Sequence, residues 1–213
     1  DGMGTTLLSA VEVIGRIPDA YFQAIGSGTG TIAVWENNLR LIEDGRWGSH
    51  KMRLYPSQND PFTIMYDTWK LHSRQLVDMS PDDARKAAAE IDAKVLSNRK
   101  PPYSLAGGLF DAMEDAGGDM FKADNEELRY WKKRFAELEG IDIHDAPAVA
   151  VASLAQAVNE GVVKKDETIM LNITGGGEEL AKSEQEVFYA KPHLVLDPAL
   201  PAEDIISSVK GLF

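Results

Sequence analysis

The chain has 213 residues, with 34 acidic against 22 basic side chains and a formal net charge of −12. This acidity disfavours nucleic acids and anionic membranes as partners. No apolar run is long enough to predict a membrane-spanning helix, and the lack of cysteine excludes disulfides, zinc–thiolate sites and thiol nucleophiles. We therefore expect a cytoplasmic protein, most simply of one domain.

The first elements predict a helix, a strand, a glycine loop and a second helix. Apolar side chains between residues 5 and 15 recur at helical spacing, and Gly15 ends that helix. The apolar run Tyr21 to Ile25 predicts a buried strand, and a helical pattern begins at Ile32. The face of this second helix that we expect to turn inward carries Ile32, Trp35, Leu39 and Ile42.

The loop between this strand and helix has the composition of an anion-binding site. It consists of Gly26, Ser27, Gly28, Thr29 and Gly30. Glycine permits positive φ and close backbone approach, while the hydroxyls of the loop and of Thr31 can donate hydrogen bonds. A helix start adds unpaired N–H groups and the positive end of its dipole. We predict a phosphate cup, with a tight turn that binds no ligand as the alternative.

Two familiar phosphate motifs fit this loop poorly. The nucleotide P-loop requires a lysine after its last glycine, where Thr31 and Ile32 stand. The dinucleotide fingerprint spaces its glycines GxGxxG, whereas Gly26, Gly28 and Gly30 read GxGxG. A phosphorylated ligand smaller than a dinucleotide is therefore favoured.

A second strand is predicted from Lys51 to Tyr55, ending at Pro56. With the preceding strand and helix it predicts a parallel βαβ unit. The polar segment Ser57 to Phe62 then lies at the strand's carboxyl end, where open α/β sheets bind ligands. Asn59 is a candidate substrate contact in this segment, although polar residues before Pro61 are also typical of a helix entry.

Residues 60–105 are expected to form a smaller excursion of helices and loops. Helices are predicted from Pro61 to about Ser73 and from Pro81 to Leu96, the second capped by Ser80. The loop that follows contains Arg99, which is either a solvated charge or an anion contact.

The remaining chain continues the alternation of strands and helices. A third strand is predicted from Met120 to Ala123, followed by a helix that Asp124 caps and that runs to Gly140. An alanine-rich helix, Ala146 to Gly161, implies close backbone packing. The side chains of the Asp124 helix that we expect to turn inward are Leu128, Trp131, Phe135 and Leu138.

A second chemical segment lies at Thr168 to Leu180. Its apolar strand, Ile169 to Leu171, ends in Asn172, Ile173, Thr174 and three glycines. We expect a buried amide and a buried hydroxyl at the edge where the glycine loop also lies, and such convergence is typical of a ligand site. After a tail, a final helix is predicted from Pro201.

Three segments, in this order and at these separations, resemble one family: FQAIGSGTG with IAVWE, then EGIDI leading into APAVAVASL, then IMLNITGGG. They are similar to the carboxyl-terminal half of pyridoxal-phosphate (PLP) enzymes of the threonine synthase type. SQNDPF and SNRKPPYSLAGG favour the cysteate synthases within this group, with threonine synthase as the alternative. The resemblance implies fold type II, as in tryptophan synthase β: an α/β fold with a mainly parallel twisted sheet flanked by helices, here incomplete.

The resemblance also implies a reaction. Cysteate synthases convert O-phospho-L-serine and sulfite to L-cysteate and phosphate, in coenzyme M biosynthesis. The loop from Gly26 to Gly30 would hold the cofactor phosphate, and Thr174 would hydrogen-bond the pyridine nitrogen. A neutral threonine leaves that nitrogen unprotonated, which suits β-elimination and replacement. Asn172 joins Asn59 and Arg99 as a candidate substrate contact.

The family's Schiff-base lysine, in a Ser-Phe-Lys-like motif, has no counterpart among the lysines of this sequence. We therefore expect a fragment without a catalytic residue of its own, inactive alone, whose lysine lies upstream. A non-catalytic binding or assembly fragment is the rival hypothesis. An exposed docking face favours self-association, so we expect a homo-oligomer. The four histidines are far apart in the sequence, and no metal site is predicted.

Overall fold

The computed structural model describes residues 2–213. The chain divides into two compact units, the first ending at Leu180 and the second comprising Ala181–Phe213. In the first unit, parallel strands form a sheet in the order β3-β2-β1-β4. The strands are β1 (Ala20–Ala24), β2 (Arg53–Asn59), β3 (Phe121–Ala123) and β4 (Ile169–Leu171).

Helices alternate with these strands, and none within residues 2–213 is long and apolar enough to cross a membrane. Short 3-10 turns occur at Gly2–Gly4 and Lys94–Leu96. The α-helices are α1 (Thr5–Ile14), α2 (Thr29–Asp44), α3 (Ile64–Lys70), α4 (Pro81–Glu90), α5 (Leu109–Ala116), α6 (Asn125–Glu139), α7 (Asp145–Asn159), α8 (Glu178–Glu184) and α9 (Ala202–Lys210).

The predicted α/β class and the parallel pairing of the first two strands are confirmed. β1 pairs with β2 from Ala20 opposite Arg53 to Ala24 opposite Ser57. Gly15 and Gly45 end α1 and α2 with φ of 78° and 77°, in the left-handed region that glycine enters without a Cβ clash.

The prediction that the second strand ends at Pro56 was wrong, because β2 continues to Asn59. Proline has no N–H to donate to a neighbouring strand. The ladder on the β3 side has a gap at this position: Leu54 bridges to Gly118, and regular pairing resumes only at Ser57 opposite Phe121. Pro56 therefore fits an interior strand, and SQN belongs to β2 rather than to a loop.

The helix predicted to reach Leu96 is shorter than expected. Ser80 caps α4 as predicted, with its hydroxyl accepting the Asp83 N–H, but the helix ends at Glu90. Ile91 is fully buried and adopts an extended backbone with ψ of 146°. Burial of this side chain in the core turns the chain out of the helix.

The core covers both faces of the sheet. On one face, Tyr21 and Leu54 pack with Val34 of α2 and Leu109 of α5. Residues 60–105 contribute to this same core through Phe62, Met65, Ile91 and Tyr103. The opposite face carries Phe22 and Tyr55, whose rings stack with centroids 4.7 Å apart.

The predicted inward face of α2 is confirmed in part: Ile32, Trp35 and Ile42 are half-buried and pack against the core. The fully buried residues lie beside them and include Val34 and Leu41. Asn38 is also buried, and its Oδ1 accepts the Met52 N–H at 2.8 Å.

On α6, Leu128 is buried and Trp131 and Phe135 pack against the core as predicted. The prediction was wrong for Leu138 near the helix end, which is 65% exposed. The alanine-rich α7 is buried along most of its length between α6 and the sheet, as its small side chains predict.

Candidate functional site: a glycine loop and a polar groove at the carboxyl edge of the sheet

The glycine loop begins where β1 ends and leads directly into α2. Gly28 caps this helix with φ of 80°, and no side chain caps it. α2 therefore starts at Thr29, three residues earlier than its apolar pattern predicts. The sharp entry places the helix start at the carboxyl edge of the sheet.

Backbone N–H groups of this loop are unpaired. Within residues 2–213, no acceptor is found for four of its amides or for the amide of the next residue, Thr31, while the Thr29 N–H meets Ser27 Oγ at 3.4 Å. The unpaired amides are those of Gly26, Ser27, Gly28, Gly30 and Thr31. Unpaired amides at the positive end of a 16-residue helix have the donors that an anion requires.

Close neighbours surround the three glycines of this loop. A Cβ on Gly26 would lie 2.7 Å from the Val95 carbonyl oxygen, and one on Gly28 would lie 2.9 Å from Leu109 Cδ2. A Cβ on Gly30 would lie 2.6 Å from Gln23 Nε2. The loop is thus walled by β1, the 92–96 segment and α5.

The hydroxyls of this region divide into two sets. Ser27 Oγ and Thr29 Oγ1 lie 2.9 Å apart and are half-buried beside the unpaired amides. Thr31 is fully buried, and its hydroxyl donates to Gln23 Oε1 at 3.1 Å. Thr31 therefore braces the loop from inside and does not offer its hydroxyl to an anion, contrary to the expectation from sequence.

The end of β4 lies beside β1 at the same edge. Phe22 is paired with Leu171, and the Asn172 N–H donates to the Phe22 carbonyl at 2.9 Å. Asn172 is half-buried and its side chain donates to Tyr21 Oη at 2.8 Å. Parallel pairing therefore carries Asn172 and Thr174 to the edge where the glycine loop starts.

Thr174 is exposed, which corrects the expectation of a buried hydroxyl. β4 is an outer strand of the sheet among the described residues, and its three residues are only half-buried. Thr174 borders a groove of about 560 Å³. The groove is lined by Asp92, Ala93, Lys94, Val95, Lys132, His144, Asp145, Ala146, Pro147, Thr174 and Glu178.

Charged side chains in the groove pair with one another. Lys132 Nζ lies 2.7 Å from Asp145 Oδ1, and His144 Nε2 lies 3.1 Å from Glu178 Oε1. Lys94 donates to the carbonyls of Ala88 and Ala89 at the end of α4. Val95 belongs both to this groove and to the wall against Gly26, so groove and glycine loop are neighbours.

The glycines after Thr174 are fastened by the segment before α7. The His144 N–H donates to the Gly175 carbonyl, and the Gly177 N–H donates to the Asp142 carbonyl. The Asp142 carboxylate accepts the N–H groups of Glu179 and Leu180 at the start of α8. Desolvation raises the pKa of Asp142, but these backbone hydrogen bonds outweigh it and hold the pKa below its usual value.

Asn59 supports the site from beneath. It is fully buried, and its amide group donates to the Ala123 carbonyl and to Asn125 Oδ1. Its Oδ1 accepts the Ala93 N–H at 3.0 Å. Asn59 thus holds the segment that walls Gly26, and its predicted contact with substrate stays a prediction.

Arg99 lies away from the residues that line the groove. Its Nη1 donates to the Met79 carbonyl at 3.1 Å, and the side chain is half-buried in a pocket with Phe62, Pro81 and Ser97. No side chain within residues 2–213 pairs with this guanidinium. The predicted anion contact stays a prediction.

Sequence reasoning missed the network behind the loop. Tyr21 Oη donates to Gln23 Oε1 at 3.0 Å and accepts from Asn172, so two neighbouring strands and α2 are joined. Burial raises the pKa of Tyr21, although the Asn172 hydrogen bond lowers it in part, and the hydroxyl therefore stays a donor. A glutamine within the apolar run Tyr21 to Ile25 was the available signal.

Comparison with known proteins identifies the family. Residues 1–175 match the family model described as pyridoxal-phosphate dependent enzyme. Over 207 residues the chain is 47% identical to a cysteate synthase of Methanosarcina acetivorans, covering 96% of this chain and 50% of that protein. It is 45% identical to a cysteate synthase of Methanocella paludicola, covering 99% of this chain and 49% of that protein. The chain spans about half the length of these curated relatives.

Solved structures show the same fold. A fungal L-serine ammonia-lyase from Rhizomucor miehei superposes with a TM-score of 0.65 at 13% identity, covering 86% of this chain and 54% of that one. Maize serine racemase superposes with a TM-score of 0.59 at 14% identity, covering 86% of this chain and 50% of that one. The architecture is that of fold type II, and the chain belongs to the pyridoxal-phosphate-dependent enzyme family.

Proposed function

We propose that this chain is part of a cysteate synthase, which converts O-phospho-L-serine and sulfite to L-cysteate and phosphate. The observation that carries the proposal is its 43–48% identity to eight cysteate synthases over most of its length. Within that enzyme, the chain's part is to bind the cofactor phosphate in the glycine loop.

PLP is the cofactor of the family, and the residues of the loop suit its phosphate. When bound, PLP supplies the electron sink for bond breaking at the amino-acid carbons. The five unpaired amides at the start of α2 and the hydroxyls of Ser27 and Thr29 bind phosphate oxygens. Neutral donors at a helix start stabilise this dianion within a protein of net charge −12.

Thr174 supplies the hydroxyl for the pyridine nitrogen. Its exposure at the edge of the groove supports this role, since a fully buried hydroxyl could not reach a bound ring. Asn172 lies two residues earlier and orients the end of β4 through Tyr21. The groove beside Thr174 receives the amino acid, and Lys94, Lys132 and His144 are among the residues that line it.

The Schiff-base lysine lies outside these 213 residues. Both lysines that line the groove already have partners: Lys132 pairs with Asp145, and Lys94 bonds the end of α4. The chain alone is therefore inactive. Treatment of the chain with PLP and borohydride should leave no single lysine quantitatively modified; specific labelling of Lys132 would contradict this assignment.

The reaction is tested in the full-length protein that carries this chain. Incubation with PLP, O-phospho-L-serine and sulfite should release phosphate and L-cysteate in equal amounts, measured by a phosphate assay and mass spectrometry. The matched reaction uses O-phosphohomoserine and water. Threonine from this second mixture, without cysteate from the first, would contradict the proposal in favour of threonine synthase.

The full protein is expected to be a cytoplasmic homo-oligomer. Light scattering of the full-length protein measures the oligomeric state, and cell fractionation measures the location. A monomer in solution, or activity confined to the membrane fraction, would contradict these two expectations.

A further inference from the structure

Gln23 occupies an unusual place for an amide side chain. It lies in β1, between the buried residues Phe22 and Ala24, and shares the α2-facing side of the sheet with Tyr21. It is half-buried, so part of its side chain stays accessible. A side chain here is placed beneath the glycine loop that follows the strand.

The two ends of the Gln23 amide differ in their bonding. Its Oε1 accepts hydrogen bonds from Tyr21 Oη at 3.0 Å and from Thr31 Oγ1 at 3.1 Å. Its Nε2 has no acceptor in the described chain. The two donors fix the plane of the amide, and Asn172 holds Tyr21 in turn. The Nε2 hydrogens are therefore both oriented and available.

The Gln23 amide lies beside the first turn of α2. A Cβ added to Gly30 would lie 2.6 Å from Nε2 and 2.8 Å from Oε1, so the amide rests against the Gly30 backbone. The amides of Gly30 and Thr31 are themselves unpaired. A side-chain donor from the strand and unpaired backbone donors of the helix therefore lie beside the same residue, Gly30.

We infer that Gln23 is a side-chain ligand of the phosphate group, adding an Nε2–H donor to the backbone amides of the loop. The inference rests on the proposed phosphate-binding function of that loop. An N–H donor to a phosphate oxygen is a charge-assisted hydrogen bond, which is stronger than one to a neutral acceptor. Tyr21, Thr31 and Asn172 are positioning residues that hold the amide in place.

The matched variant is Gln23→Glu, which keeps an acceptor for Tyr21 and Thr31 and replaces the donor with a second oxygen. Gln75→Glu makes the same change at an exposed position and is the control. Dissociation constants for PLP, pyridoxal and inorganic phosphate are measured by calorimetry. Gln23→Glu should raise the dissociation constants for PLP and phosphate at least tenfold and leave that for pyridoxal within twofold. Gln75→Glu should change none of the three dissociation constants.

Equal weakening of PLP and pyridoxal would assign Gln23 a purely structural role and overturn the inference. Unchanged phosphate binding by Gln23→Glu would overturn it as well, while leaving the loop intact as a site. If the wild-type chain binds neither PLP nor phosphate, both this inference and the proposed function fail.

A second measurement needs no variant. In ¹⁵N spectra of the wild-type chain, saturating inorganic phosphate should shift the Gln23 side-chain NH₂ signals together with the Gly28 and Gly30 amides. The Gln75 side-chain signals should not move. Shifts at the glycine amides without a shift at Gln23 Nε2 would overturn the inference and support the loop alone.

Discussion

Two glycine-rich segments meet at the same edge of the sheet, but their backbone groups are used differently. In the loop 26–30, amides at the start of α2 have no partner within the described chain. In the segment 175–177 the glycines are fastened to Asp142 and His144, and the Asp142 carboxylate caps α8. A helix start capped by a carboxylate is satisfied, whereas an uncapped one attracts an anion. Glycine content therefore does not distinguish the two segments, whereas the capping of the helix start does.

The largest expected effect concerns the support of the cup. Asn59→Leu should lower the free energy of unfolding by about 3 kcal/mol, because the buried Ala93 N–H and Ala123 carbonyl lose a partner. Asn159→Leu, at an exposed position on α7, should change it by less than about 0.5 kcal/mol. Urea unfolding measures both. Equal stabilities would show that the 92–96 segment does not depend on Asn59.

A carboxylate placed before α2 should cap this helix as the Asp142 carboxylate caps α8. Ser27→Asp should weaken the binding of inorganic phosphate and of PLP roughly a hundredfold, because the lost hydroxyl donor and the new charge repulsion each lower the affinity about tenfold. Thermal stability should hold or rise, because the carboxylate caps Thr29 and opposes the helix dipole.

Ser207→Asp, exposed on α9, is the charge-matched control and should leave phosphate affinity unchanged. Calorimetry and thermal unfolding report the two quantities separately. Undiminished phosphate binding by Ser27→Asp would place the anion elsewhere.

The reverse change removes the carboxylate that caps α8. Asp142→Asn should raise hydrogen exchange at the Glu179 and Leu180 amides by roughly tenfold, through easier local opening. Asp166→Asn, an exposed control, should not. If Asp142→Asn leaves this protection unchanged, the backbone hydrogen bonds between residues 142–144 and 175–177 are sufficient to hold the start of α8 in place.

The same contact has a predicted pH dependence. The pKa of Asp142 is lowered from 3.8 in the folded chain, so its stabilising contribution is fully present above that value. It is lost as the pH falls through the lowered pKa. Exchange at Glu179 should therefore accelerate below pH 3.8, after correction for intrinsic rates, and exchange at the Gly28 amide should not follow this titration.

Local signals predicted much of the fold. The apolar run of β1, the glycine loop, the Ser80 and Asp124 caps and β4 all depend on neighbouring residues in sequence. Two element boundaries depend on tertiary contacts and could not be predicted. α4 ends before Ile91, whose side chain enters the core. β2 continues through Pro56 because its ladder with β3 has a gap there.

The geometry of the candidate site was predicted in part. The positions of the glycine loop and Thr174 at one edge of the sheet could be predicted because strand, glycine and helix-start patterns are local. The contacts of Gln23 could not, since they depend on Tyr21, Thr31 and Asn172, which lie on β1, α2 and the end of β4. The exposure of Thr174 depends on the neighbours of β4, which short-range patterns do not report.

A crystal structure of the full-length protein with PLP tests phosphate binding by the glycine loop most directly. Phosphate oxygens should lie about 2.7–3.2 Å from the unpaired amides of Gly26 to Gly30, at ordinary hydrogen-bond length. The pyridine nitrogen should lie at the Thr174 hydroxyl. A phosphate bound elsewhere, with these amides facing only solvent, would contradict phosphate binding by the loop.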